Sequence, residues 1–428
     1  MNICSNFLNR LLIPVAALLT CAAVLVFSAR ADSVVAWGSN SSGQLGDGTT
    51  TDRYAPVAVS GLASGVTEIA AGGYHSLAVR NGGVYASGWN SEGQLGDGTT
   101  TDRSTPVAVS GLTSGVTEVA GGIRHSLAVQ NGGVYAWGFN VFGQLGDGTT
   151  TDRSTPVAVT GLASGVTEIT SGGVHSLAVQ NGGLYFWGAI VSGELSTTPV
   201  PISGLTSGVT EIASGDRHAL AVQNGGAYAW GLNFSGQLGD GTTTQRNTPV
   251  AVNGLASGVT DVAAGGAHSL AVQNGGVYTW GENNSGQLGD GTTTNRSIPV
   301  RIDPTELTSI IAVAASAASS YALSSDGSLW VWGQGGQGQL GLGTSTDSAM
   351  PLHLLPPNGF VFTAIDAGDY HAVASLAIVP EPSTVALAAL GIFGFGRIKA
   401  LSWENLHFEM SAYTLRCYRK VVFFVLVV

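Results

Sequence analysis

The stretch GQLGDGTTTDR, residues 43–53, has the residue types of a ligand-binding loop: three glycines, two aspartates and a run of threonines. Glycine-rich backbone can cradle phosphate, and clustered carboxylate and hydroxyl oxygens can hold Ca²⁺. Neither spacing is met. A phosphate loop needs Lys after its last Gly, where Thr49 stands, and the first lysine of the chain is Lys399. The dinucleotide fingerprint needs a third glycine at the place of Thr51. An EF-hand needs alternating oxygen ligands and a closing Glu, whereas Asp47 and Asp52 are five apart and no Glu follows where one is needed. The string also returns at 93–103 and 143–153, and with one change (Gln245, Asn295) at 236–246 and 286–296. A decayed copy lies at 338–348 and a remnant, GEL, at 193–195. A loop repeated this often belongs to a repeat's skeleton, and we read it as a connector. Calcium is the rival reading.

Two other sets could do chemistry. His75, His125, His175, His218, His268 and His371 recur at one position, with Ser320 taking it in a further unit. Glu68, Glu118, Glu168 and Glu211 recur likewise. All three cysteines (Cys4, Cys21, Cys417) lie near the ends, so the body has no disulfide and no thiolate metal site.

The elements that must position these residues are short strands. The unit is about fifty residues, and its Trp-Gly step falls at Trp37, Ser87, Trp137, Trp187, Trp230, Trp280 and Trp332, which makes seven units. The fourth has lost most of its long loop. The second has Ser87 for Trp, with Trp89 two residues on and on the same strand face, placed to fill the gap. Each unit holds four β-like runs, such as VTEIA, HSLAV, VYAWG and PVAV. NGG marks a hairpin between the second and third, and SGLASG links one unit to the next. This predicts an all-β fold, a seven-bladed β-propeller of four-stranded antiparallel blades. The chain opens on a third strand, SVVAWG, and ends on a first and second, so the N-terminal strands should close the ring. Blade spacing separates the histidines too far to share an ion at about 2.0–2.1 Å, so they read as buried residues bonded to backbone. The glutamates occupy equivalent environments, with nothing to part their pKa values into acid and base. No catalytic set, metal site or cofactor is expected.

The pattern WGxNxxGQLGxGT followed by GGxHSLAV resembles the regulator-of-chromosome-condensation repeat over nearly all of 34–377. The resemblance implies a seven-bladed propeller. It also implies two kinds of role: interaction modules, since bacterial relatives include a β-lactamase-inhibiting propeller, and guanine-nucleotide exchange, the activity of the eukaryotic namesake. The chain lacks the large wedge-like insertion that exchange calls for.

In a meander, the turn between first and second strands shares a face with the loop between third and fourth. On the opposite face the NGG turns hardly change. On this face the loop starts read SNSS, WNSE, FNVF, AIVS, LNFS, ENNS and QGGQ. Four consecutive units place apolar groups there: Trp89; Phe139, Val141 and Phe142; Ile190 and Val191; Leu232 and Phe234. These are the candidate partner-binding residues, with burial between blades as the alternative. Tyr74, Arg124, Asp216, Arg217, Asp369 and Tyr370, on inner turns, form a candidate polar cluster at the mouth of the central channel.

The ends carry addresses. Arg10, the apolar run 11–27 and ARA at 29–31 read as a secretory signal spanning 1–31. The propeller fills 32–379. VPEPST at 379–384 and the apolar run after it, the basis of a sorting segment at 380–399, resemble a PEP-CTERM sorting signal, which implies delivery to the cell surface or matrix of a bacterium. Residues 400–428 are an atypical extension. Between the signals stand nine Arg, no Lys and 24 Asp and Glu, a balance that repels nucleic acid and anionic lipid. The expectation is an exported or cell-surface binding protein, monomeric, presenting one variable face to a protein or glycan and meeting membrane only through the sorting segment. An exchange factor, or an enzyme with an axial site, is the alternative.

Overall fold

A computed structural model describes residues 33–189, 195–302 and 307–379. The described residues form 28 strands in seven four-stranded sheets, each antiparallel, and contain no helix. The signal at 1–31, the sorting segment, the extension, and Ile190 and Val191 lie outside the described residues. We number the blades in chain order from the one holding Trp37.

Blade 2 shows the plan: Val66–Ala71 innermost, then His75–Arg80, Gly83–Gly88 and Arg103–Ala108 at the rim. The second and third strands are buried on both faces, which is why HSLAV and VYA read as apolar and small residues with little alternation. Their hairpin turns on Asn81, whose φ is 52°, with Asn131, Asn181, Asn224 and Asn274 matching it at 50–53°. Asn tolerates this left-handed conformation better than most residues.

Blade 1 closes the ring. Ser33–Gly38 pairs antiparallel with His371–Ile378, in a register running from Ser33 opposite Leu376 to Gly38 opposite His371. The N-terminal pair of strands thus completes the blade begun by the C-terminal pair, as the split repeat predicts.

The core lies between blades. Leu77 and Val79 of blade 2 pack with Val119, Ala128 and Trp137 of blade 3, and the same pairing recurs around the ring. Trp37, Trp137, Trp187 and Trp280 are fully buried. Burying roughly 150–250 Å² per indole contributes on the order of 4–6 kcal/mol at about 25 cal/mol per Å².

Polar staples cross the same seams. The indole N–H of Trp137 donates to the Gln94 carbonyl of the preceding blade at 2.8 Å, and Trp187, Trp280, Trp332 and Trp37 do the same to Gln144, Gln237, Gln287 and Gln339. The hydroxyl of Ser126 donates to the same Gln94 carbonyl and faces Nε2 of His75 at 2.8 Å. The histidines are buried, as expected, but the ring partner of five of them is a serine hydroxyl of the next blade, and Nε2 of the sixth, His175, has none. One position shifts: Ser319 stands where the other blades have His, opposite Gly333, while Ser320 takes the neighbouring serine position and bonds His268.

Ser87 is not compensated. Trp89 points to the variable face against Tyr74, leaving Ser87 with a long 3.5 Å contact to the Gln44 carbonyl and a small cavity lined by Leu45, Val59, Leu62 and Pro106.

Candidate functional site

The opening loop is closed on itself. Asn40, fully buried, donates from Nδ2 to Asp47 Oδ1 and to the carbonyls of Thr49 and Thr51, and accepts from Leu45 N–H. Asp47 Oδ1 also accepts from the N–H and hydroxyl of Thr49, and its Oδ2 takes the Arg53 guanidinium at 2.7 Å. The pair repeats at Asp97–Arg103, Asp147–Arg153, Asp240–Arg246 and Asp290–Arg296. Burial raises the Asp47 pKa, but the bonds from Thr49 and Arg53 outweigh it and hold the carboxyl below its ordinary range. Gly48 N–H reaches across to the Ser104 carbonyl on the next blade's rim strand. The loop is therefore a clamp between blades. Sequence reasoning passed over the Asn40 hub because it counted the whole loop start as variable. Its second residue is Asn in five units, which was the available signal.

The inner acids are not equivalent. Glu118, Glu168, Asp261 and Asp366 each accept a backbone N–H from the following blade, at Ile169, Ile212, Val313 and Ala71. Burial pushes Glu68 up to about 7 and Glu118 to about 8. Glu168 rises to about 9 through burial and the adjoining Glu211 charge. The expectation of matched environments fails because the fourth and fifth blades bring their carboxyls together.

The variable face is built from locked pairs. In every blade the residue after the Trp-Gly step donates its N–H to the carbonyl of the inner-turn residue: Ser39 to Tyr370, Trp89 to Tyr74, Phe139 to Arg124, Ala189 to Val174, Leu232 to Arg217, Glu282 to Ala267 and Gln334 to Ala318, at 2.8–3.0 Å. The third strand and the inner turn thus deliver two freely varying side chains to one spot on each blade.

Three consecutive blades join these spots into a strip. Tyr370 and Tyr74 have ring centroids 5.8 Å apart, and Tyr74 meets Trp89 edge-on at 6.3 Å. The Arg124 guanidinium sits 5.2 Å from the Trp89 ring and 5.7 Å from that of Phe139, which in turn meets Phe142 at 6.0 Å. Such cation–π contacts contribute about 0.5–2 kcal/mol each. Arg124, Val141, Phe142 and Phe234 are exposed, Phe234 most of all at 74%, while Tyr74, Trp89, Phe139 and Leu232 are half-buried.

The six polar candidates spread from the strip to the channel mouth, and Asp369 links the two: burial, then Tyr370 and Asp369, raise the Tyr74 pKa. Tyr74, Arg124 and Tyr370 belong to the strip. Asp216 and Asp369 line the small-residue mouth of the channel, where burial and the charge of Asp216 push Asp369 up to about 7. Arg217 is exposed and borders a separate cavity between blades 4 and 5.

A family model for the RCC1-like domain matches residues 33–374. The chain belongs to this family. A PEP-CTERM protein-sorting motif matches residues 379–399 and marks an exported, envelope-associated bacterial protein. No match was found among curated protein sequences. Solved structures similar to this RCC1-like chain include human WBSCR16, at 25% identity over 82% of this chain and 99% of that one, with a TM-score of 0.71. Prp20p from Saccharomyces cerevisiae, described with its binding to Gsp1p and histones, is 23% identical over 85% and 95%, also with a TM-score of 0.71. The yeast protein bound to Kap60 gives 22% over 84% and 92%, again with a TM-score of 0.71. The two yeast likenesses bear on fold alone.

Proposed function

We propose that this RCC1-like chain is an exported, non-catalytic binding module of the cell surface, and that the strip from Tyr370 to Phe142 docks a protein partner. The strip itself carries the reading. Trp, Tyr and Arg are the side chains that dominate protein hot spots, and here they are held in register by backbone bonds on a rigid disc. Every described strand belongs to a blade, so no wedge-like element rises among the described residues to favour nucleotide exchange.

The test compares the purified protein with its Trp89→Ala/Arg124→Ala variant, each used to capture proteins from surface extract of the source bacterium. A band held by the first and lost by the second, with unchanged melting of both, is expected. Identical capture by the two overturns the reading. Binding of both to a glycan array, with no protein retained, transfers the role to glycan recognition.

A further inference from the structure

The seam between blades 4 and 5 departs from the other seams in three ways at once. The clamp loop of blade 4 is shortened, its unit being seven residues shorter than those on either side. Leu195, from the remnant GEL, is 49% exposed at the start of a rim strand, in the register position that Asp52 holds in blade 1. Ala219 stands where Ser76, Ser126, Ser176, Ser269 and Ser320 serve the other histidines.

The result is a cavity of about 290 Å³, at the small end for ligand sites. Its walls include Phe142, Phe186, Ala219 and Trp230, with Arg217 at the edge. His175 lines it, 4% exposed and stacked on Phe186, and its Nε2 has no hydrogen-bond partner. The intact seams fix the tautomer of the other five histidines. There each serine hydroxyl gives its one hydrogen to a glutamine carbonyl, as Ser126 does to Gln94 and Ser176 to Gln144, so the histidine must donate from Nε2–H. We assign His175 the same tautomer, which aims a buried donor into the cavity, and buried donors are almost always satisfied.

We propose that this cavity is a binding site for a small carboxylate with an apolar body, one oxygen accepting the Nε2–H of His175 and the charge facing Arg217. Burial holds the His175 pKa down at about 4, so the ring is a neutral donor at neutral pH. Apolar walls exclude a sugar or a nucleotide in favour of an aryl or short alkyl chain. The site shares only Phe142 with the strip and stands whether or not the strip docks a partner.

Phenylacetate and toluene, titrated into the purified protein and followed by ligand-observed NMR, test this. Phenylacetate should bind saturably and more tightly than toluene. Ala219→Ser restores the residue of the other seams, so it should fold, and its hydroxyl should take the His175 donor and weaken phenylacetate at least tenfold. Arg217→Gln should weaken phenylacetate and leave toluene unchanged. No saturable binding, toluene matching phenylacetate, or a variant binding phenylacetate as the parent does would each overturn the proposal.

Discussion

Nε2 of His75 in blade 2 lies 2.8 Å from the hydroxyl of Ser126 in blade 3, fifty-one residues away, and that hydroxyl reaches on to the Gln94 carbonyl. One serine thus joins a histidine and a clamp loop across a seam. Ser126→Ala leaves His75 Nε2 a buried orphan and the Gln94 carbonyl with the Trp137 indole alone, and a destabilisation of about 1–3 kcal/mol is expected in denaturant unfolding. A change below about 0.3 kcal/mol would mean the relay adds nothing to the seam.

The buried histidines and the inner acids set opposite pH limits. Burial lowers His75, His125 and His218 to about 3 and His175, His268 and His371 to about 4, from an ordinary 6.5. The unfolded chain then binds more protons, so stability falls as pH drops below 6.5. Glu68, Glu118, Glu168 and Asp261 are raised to about 7, 8, 9 and 7 from ordinary values of 4.5 and 3.8, so their contribution is full below those values and falls as pH climbs toward 9. Between about 4.5 and 6.5 the two effects oppose. Melting temperature against pH should show a broad maximum there, with loss on both sides. A maximum above pH 8 would contradict the assignment.

Ser87 breaks the tryptophan series and leaves a cavity among Leu45, Val59 and Pro106. Ser87→Trp supplies the ring, and an indole N–H for the Gln44 carbonyl like the one that its counterparts accept at other seams. Gly46, with φ 64°, leaves room as Gly96 does for Trp137. A gain of about 1–3 kcal/mol is expected by calorimetry, and a loss would show that blade 2 has repacked around serine.

The loop carboxylates are occupied. Asp97→Ala removes the Arg103 pair and the bonds to Thr99 and Asn90, at an expected cost of about 2–3 kcal/mol. The parent protein should give no heat with micromolar Ca²⁺. Several equivalent calcium sites, lost with this residue and its four counterparts, would reverse the connector reading.

Much of this was legible from the chain alone. The Trp-Gly steps count the blades, the split repeat at Ser33–Gly38 and His371–Ile378 foretells closure, and the two faces follow from the meander. What escaped depends on neighbours in space. Trp89 and Arg124 sit thirty-five positions apart and on different blades, so separate lists of apolar and polar residues could not show them touching. Ser126 reads as strand filler until His75 is seen beside it. Asn40 was hidden by its variable surroundings. The cavity needs three changes in blades 4 and 5 to coincide, and each alone looks like drift.

Closure also imposes an order in time. Ser33 must wait for Leu376, so the first strand made is partnered by the last, and no ring exists until nearly the whole domain has emerged. The sorting motif begins at residue 379, directly after the final strand Ile378. Completion of the disc and arrival of the sorting segment are therefore almost simultaneous, and a chain truncated before residue 371 would carry an open blade edge at both ends, a template for self-association.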